Sequence, residues 1–321
     1  MVFIGFHASH EQLPPSVLLD SVRRAEGAGF DGAMCSDHLA PWGLRQGESG
    51  FAWSWLGAAM AQTSFSLGVV NAPGQRYHPV IIAQAIATLE EMFPGRFWAA
   101  LGSGEAMNEH VTGEPWPSKD VRNARLAESV DIIRRLLAGE RLSHDGHVVV
   151  HDARVWSRPA APPPLLGTAV SAETAGWLAG WADGLATVAQ SPDALRRILD
   201  VYRGNGGSGA AVLQIHVSLA PTDAEALAIA KDQWRNGLVS PPRCWDIEQP
   251  EAFDEAAGEP GDAEMREAVL VAHDASELAA RIADLARIGF DRVYIHHVGK
   301  DQARFLQRAE AELLPRLRGE S

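Results

Sequence analysis

Residues 64–104, SFSLGVVNAPGQRYHPVIIAQAIATLEEMFPGRFWAALGSG, decide the fold. Ser64–Ala72 is a short β-rich run that ends in an Asn-Ala-Pro-Gly turn signal. Pro79–Met92 then carries apolar residues at helical spacing behind a proline suited to a first helical turn. Phe97–Gly104 is again a short apolar run closed by glycines. The stretch therefore reads strand, helix, strand.

The same unit recurs in both directions. Upstream lie a strand over Val2–Ala8, a helix near Pro14–Gly29 and a strand over Gly32–Asp37, followed by a long connection with Trp42, Trp53 and Trp55. Downstream, a helix runs roughly Asp120–Ala138, and His147–His151 forms part of a β-hairpin whose other leg follows Gly139. Strands are expected over Leu165–Val170, Leu185–Ala189, Val212–Ala220 and Arg292–Val298. Helices follow them to about Ala182, over Ala194–Arg203, from Asp223 to about Trp234, and over Gln302–Leu314. Eight strands, each with its helix, fit a single α/β domain over residues 1–321, a (β/α)8 TIM barrel of ~250 residues plus insertions. A doubly wound open sheet is the alternative, but it needs no eighth repeat. The surplus falls after the second strand, at 40–55, and after the seventh, at about 237–270, where Pro, Gly, Asp and Glu predict an irregular lid.

Composition narrows the function. Of 321 residues, 46% are hydrophobic and 21% charged, which excludes disordered and collagen-like classes. No apolar run reaches ~18 residues, so no membrane span is expected. Twenty-eight basic against 41 acidic residues leave a net charge of −13, which disfavours nucleic acid and anionic membranes as partners. Cys35 and Cys244 cannot build a disulfide framework, and Met1–His7 lacks the basic and apolar regions of a signal peptide, so a cytoplasmic location is expected. Only Lys119, Lys231 and Lys300 are lysines, against 25 arginines.

In a barrel, the residues at the C-terminal strand ends line the active site. Those ends hold Ser36-Asp37-His38 with Pro41-Trp42, then Val70-Asn71, Gly102-Ser103-Gly104-Glu105, Gly167-Thr168 and His296-His297. His38 is the natural proton carrier, since imidazole titrates near neutrality. Asp37 either caps the next segment or binds a polar cofactor edge. Glu105 can supply an acid or base, or simply favour a helix N-terminus. Trp42 is placed to wall a flat ring, whereas Trp53 and Trp55 are expected in the packing of the barrel's upper layer. His296 and His297 alternate, so one faces the barrel and the other the helices. The Gly102-x-Gly104-x-x-Met107 run lacks the third glycine of a dinucleotide site. His144, His147 and His151 lack carboxylate or cysteine partners at ligand spacing, and no metal site is expected.

Taken in order, six blocks resemble the luciferase-like flavin and deazaflavin oxidoreductases over nearly the whole chain. They are Ser36-Asp37-His38-x-x-Pro41-Trp42, Arg76-Tyr77-His78-Pro79, Ile82-Ala83-Gln84-Ala85, Phe93-Pro94-Gly95-Arg96, Gly102-Ser103-Gly104-Glu105-Ala106-Met107-Asn108-Glu109 and Gly299-x-Asp301-Gln302-x-Arg304-Phe305-Leu306. The resemblance is strongest to the branch of deazaflavin (F420)-dependent glucose-6-phosphate dehydrogenases. It implies His38, Trp42 and Glu105 as the catalytic residues. It also implies Asp37, Val70, Asn71, Ser103, Gly104, Glu105 and Asn108 against the cofactor ring, with a non-proline cis peptide near Val70–Asn71. The loop Thr168, Ala169, Val170 and Ser171 would give backbone amides to a cofactor phosphate, although it is poorer in glycine than the family's.

The branch holds its substrate phosphate with two lysines and an arginine. Gln190, Cys244 and Ala268 stand at those places here, with Arg243 and Arg266 close by, and none of the three lysines falls there. Glucose 6-phosphate is therefore not the expected substrate, because a dianion needs charge-assisted donors. Gly50–Gly57 and Ala72–Pro79 resemble a flavin-using subgroup, so FMN is expected first and coenzyme F420 second. The expected activity is hydride transfer between that cofactor and a small organic substrate, with a monooxygenase and a flavin-binding protein without turnover as alternatives. A homodimer is what the resemblance implies.

Overall fold

The computed structural model describes residues 2–319. Eight parallel strands close on themselves: β1 (Phe3–Ala8), β2 (Gly32–Ser36), β3 (Ser66–Asn71), β4 (Phe97–Leu101), β5 (Leu165–Thr168), β6 (Gly184–Val188), β7 (Ala210–Leu219) and β8 (Arg292–His297). Each pairs with the next, and β8 returns to β1 with Phe3 opposite Arg292. The architecture is the expected (β/α)8 barrel. Its helices are α1 (Pro15–Ala28), α2 (Ala52–Gln62), α3 (Pro79–Met92), α4 (Lys119–Leu137), α5 (Ala172–Leu178), α6 (Pro192–Gly204), α7 (Asp223–Gln233), α8 (Ala275–Ala286) and α9 (Gln302–Arg308). Leu142–His144 and Val150–Ala153 make the expected hairpin. Among the described residues, no helix is long and apolar enough to cross a membrane.

Alternation along the strands separates two cores. Ile4, Phe6 and Ala8 of β1 face outward with Ala33, Cys35, Leu67, Val69 and the buried stripe Leu18, Val22, Ala25 of α1. Inside the barrel, Met34, Trp98, Ala100, Leu166, Ala186, Val212 and Tyr294 form a separate cluster. Two glycines make that inner cluster possible. A Cβ on Gly5 would lie 2.2 Å from the Tyr294 ring, and one on Gly68 2.0 Å from the Trp98 indole. The two rings pack inside the barrel beneath the cavity at the strand C-termini. Gly68→Ala should accordingly cost about 1–3 kcal/mol by overpacking, read as a lower urea midpoint; an unchanged midpoint would show that the indole moves freely.

Four features depart from expectation. The connection at 40–55 runs into helix α2, whose Trp53, Trp55, Leu56, Ala59 and Met60 are buried. Helix α8 precedes β8 and sends Leu278, Ile282 and Leu285 into the main core. Its apolar stripe is as clear as that of α1, but it follows the lid and escaped notice there. The lid itself is helical: Arg243–Asp246, Pro250–Ala257 and Asp262–Ala268, before a three-residue strand, Leu270–Ala272, on β7. Pro250 occupies a first helical turn and Phe253 is fully buried, so prolines there start helices and do not break them. Finally, Val70–Asn71 is trans; the cis peptide among the described residues is Pro241–Pro242. The β3–β4 ladder continues in register to Asn71–Leu101, which a trans bond accommodates.

Candidate active site

A cavity of about 440 Å³ opens at the C-terminal strand ends, within the usual size of a cofactor pocket. The loop after β2 supplies its centre. Asp37 extends the β2 ladder by one residue, its amide donating to the Val70 carbonyl at 2.9 Å. Its carboxylate is fully enclosed and already engaged: Trp53 Nε1 (3.2 Å) and Asn71 Nδ2 (2.9 Å) donate to Oδ2, Tyr77 Oη (3.2 Å) donates to Oδ1, and Arg76 Nη2 lies at 3.3 Å. Burial raises its pKa, against the Arg76 charge and these donors. Asp37 is therefore the knot that ties β2, β3, α2 and the Arg76 loop together. Three of those four partners fall on Oδ2, and Oδ1 accepts from Tyr77.

His38, next along the loop, sits between two carboxyl groups. Nδ1 is 3.9 Å from Glu11 Oε1 and Nε2 is 3.8 Å from Glu105 Oε2. Burial, with the Arg76 and His10 charges, pulls the imidazole pKa down to about 3, so the ring is neutral. Burial pushes Glu11 up to about 7 and Glu105 up to about 8, the latter helped by the neighbouring Glu109 and Glu11 carboxylates. A neutral base thus stands beside two groups able to hold a proton near neutrality. Glu11 is steadied by Ser9, whose hydroxyl donates to Oε2 at 2.7 Å. Trp42 stacks at a tilt on His38, 4.8 Å between centroids, and is held edge-on by Phe253 of the lid at 5.3 Å.

The β4 end completes the wall. Gly104 has φ +83, a left-handed conformation that favours glycine, and a Cβ there would meet Glu109 Cγ at 3.1 Å. The chain then enters a short turn, Ala106–Glu109. Asn108 bridges two elements, accepting from the Leu39 amide at 2.8 Å and donating to Glu105 Oε2 at 3.4 Å. Glu109 accepts from the Arg76 amide at 2.6 Å, leaving Oε1 without a partner.

Of the expected residues, Asp37, His38, Trp42, Val70, Asn71, Ser103, Gly104, Glu105, Asn108, Thr168, Ala169 and Val170 all line the cavity. Ser171 does not; its hydroxyl caps α5 by accepting from the Thr174 amide. The Ala169 amide is also committed, donating to the Ala186 carbonyl at 3.0 Å. The anticipated cradle of backbone amides is therefore partly spent within the protein.

Several residues that face the cavity, Glu11, His7, Gln214 and His216, have no counterpart among those expected, whereas His296 is the one of the two β8 histidines that faces the barrel. Glu11 lies three residues past the end of β1, a strand end that the barrel rule covers. Across the cavity, His7, Gln214, His216 and His296 make a polar wall; His7 and His296 stack at 4.7 Å, and neither ring nitrogen of His7 has a partner. Burial pulls His7 and His216 down to about 3, so this wall is neutral. His297 faces outward and stacks on Phe305 at 4.5 Å, as alternation requires. His144 Nε2 lies 3.0 Å from Glu128 Oε2 on the far hairpin, and no cluster of three or more His, Cys, Asp or Glu among the described residues is arranged to hold a metal.

Residues 1–292 match the family described as Luciferase-like monooxygenase. The chain is 36% identical over 331 residues to the F420-dependent glucose-6-phosphate dehydrogenase of Beutenbergia cavernae, covering 99% of this chain and 98% of that one. It is 33% identical over 348 residues to the enzyme of the same name from Intrasporangium calvum, covering 99% and 100%. In three dimensions it is similar to an F420-dependent secondary alcohol dehydrogenase solved with an F420–acetone adduct, with TM-score 0.91, 28% identity and coverage of 98% and 99%. The chain belongs to the luciferase-like monooxygenase family. As such it is an oxidoreductase. These luciferase-like relatives are F420-dependent, which weighs against placing FMN first. Of the three positions expected to meet a substrate phosphate, Cys244 and Ala268 line the cavity and Gln190 does not. Arg243 is exposed, and Arg266 is turned to Asp223 with Nη1–Oδ1 at 3.0 Å.

Proposed function

We propose that this protein is an F420-dependent oxidoreductase that interconverts a small uncharged alcohol and its carbonyl compound. The observation that carries this reading is His38, held neutral between Glu11 and Glu105 on the cavity wall. The residues present fit the cofactor. Asn71 Oδ1 is buried without a partner and can accept a ring N–H, and Gly102–Gly104 allow close approach to a flat ring. Asn71, Ser103, Gly104 and Val70 would hold the ring; when bound, it accepts or gives the hydride.

The chain's own residues do the rest. His38 takes the hydroxyl proton of an alcohol at one ring nitrogen, or returns it in the reverse direction. Glu105, still protonated near neutrality, supplies a proton on the same wall, and Glu11 lies on the side of the other ring nitrogen as a second group able to hold a proton. Trp42, pressed against His38 by Phe253, excludes water above them. An uncharged substrate suits the neutral lid face of Trp42, Cys244, Trp245 and Ala268. A small molecule is the partner, in keeping with the acidic charge balance; the homodimer implied by the resemblance and the cytoplasmic location expected from cysteine usage belong to the same reading.

The test is titration of the purified protein with F420 and with FMN. F420 is expected to bind below about 10 µM and to be reduced on adding a secondary alcohol such as 2-propanol. FMN binding alone would favour the flavin reading that Gly50–Gly57 and Ala72–Pro79 support. Failure of both to bind below about 100 µM would sink the cofactor assignment.

A further inference from the structure

Among the carboxylates and neutral imidazoles of the cavity, two cations stand out. Lys119 and Arg122 share the first turn of α4, three residues apart and thus on one face, and both line the cavity. The cavity's carboxylates, Glu11, Asp37, Glu105 and Glu109, come from the ends of β1, β2 and β4. Neither cation forms an ion pair among the described residues, although the protein carries a net charge of −13 and most of its buried or half-buried arginines are paired or bonded to carbonyls.

Arg122 is the more telling of the two. Only 7% exposed, it donates one bond, from Nη1 to the Pro117 carbonyl at 2.8 Å, and lies over the Trp116 ring at 4.4 Å. Its Nε is buried without a partner. The carboxylate that could have answered it, Asp246 of the lid, accepts from Trp116 Nε1 at 2.9 Å. A buried guanidinium with spare donors is costly unless an anion completes it. Lys119 Nζ stands 5.9 Å from the Trp245 ring, also on the lid. Asn123 and Thr174 line the same cavity and add polar side chains.

The backbone cradle that could have held a phosphate is partly consumed, because the Ala169 amide is bonded to the Ala186 carbonyl. The geometry points to Lys119 and Arg122 as the anion subsite that holds the phosphate-bearing arm of the cofactor, leaving the ring to the His38 side. This rests on the reading of the cavity as a deazaflavin or flavin site. It adds that anchoring of the arm has shifted from loop amides to side chains of α4. No bond is made or broken; the subsite fixes the arm so that the ring is presented to His38 in one orientation.

The experiment compares cofactors with and without the arm. F420 is paired with its ring-and-ribityl portion lacking phosphate, and FMN with riboflavin. Each is titrated by fluorescence into wild type, Lys119→Gln, Arg122→Gln and the double variant, at 50 and 300 mM NaCl. In the double variant the phosphate-bearing member of the binding pair should weaken about 10- to 100-fold, and its salt dependence should shrink. The phosphate-free member should change less than about twofold, because it makes no contact with a charge there. Lys119→Gln, at a half-exposed position, should weaken the phosphate-bearing member about fivefold, and this keeps the test informative if Arg122→Gln fails to fold. Arg122→Lys should recover part of the loss.

Equal losses for both members of a pair, or no loss in either, overturn the subsite. Failure of all four compounds to bind wild type removes the cofactor reading and the subsite with it. Binding of the phosphate-free compounds with undiminished phosphate discrimination in the double variant removes the subsite alone.

Discussion

His38→Ala is expected to lower the rate of F420 reduction by alcohol at least about 10²-fold, the usual worth of a positioned acid–base group. Cofactor affinity should stay within about threefold, because the ring contacts are assigned to β3 and β4 and not to the imidazole. Stopped-flow reduction separates the two quantities. The pH profile gives a sharper test. With the imidazole pulled down to about 3 by burial, His38 itself should contribute no limb near 6.5, the ordinary histidine range. Glu11, pushed up to about 7, and Glu105, pushed up to about 8, titrate in the working range, and the proton is assigned to Glu105. Its acid form is present below that value and lost as pH rises through it. Reduction of F420 by alcohol should therefore fall above about pH 8, and Glu105→Gln should be slower with that limb removed. An unchanged rate in His38→Ala, or a limb near pH 8 that survives in Glu105→Gln, would overturn these roles.

Asp37→Ala should be the most destabilising single change at the site, at about 3–5 kcal/mol, by stranding a buried charge. Four groups from three other elements converge on that carboxylate: Trp53 from α2, Asn71 from β3, and Arg76 with Tyr77 from the loop before α3. Its removal leaves the Arg76 guanidinium, itself nine-tenths enclosed, without its ion pair. Asp37→Asn keeps the shape and some acceptor capacity, so it should cost less while still losing the charge. Equilibrium urea denaturation of both variants measures the difference. A loss below about 1 kcal/mol in Asp37→Ala would mean that the four donors find other partners or water.

Both expectations depend on contacts that differ in how far the sequence exposes them. Strand-end arithmetic on β2 and β4 was enough to single out His38, Trp42 and Glu105, because local period and turn residues locate those ends to within a residue or two. The same arithmetic on β1 would have reached Glu11, whose position after a plain Ala-Ser-His run carries no turn or glycine signal of its own. Trp53 was hidden in a connection that is in fact helix α2. Its tie to Asp37 spans 16 residues and no spacing rule relates them.

The barrel, its closure through an eighth strand and the line of residues at its rim follow from local periodicity and caps, which one dimension records well. Which of those rim residues remain free to act follows from packing between distant segments, which it does not. Asp37 looked available to a cofactor until its four donors were in place. The Ala169 amide looked available to a phosphate until its bond to the Ala186 carbonyl claimed it. Lys119, one of three lysines, lies outside the positions where the resemblance places phosphate-binding cations, yet the fold turns it and Arg122 into the cavity. The physical reason is common to all three: a side chain's chemistry is written in its residue type, but its vacancy depends on partners brought within about 3 Å by the fold.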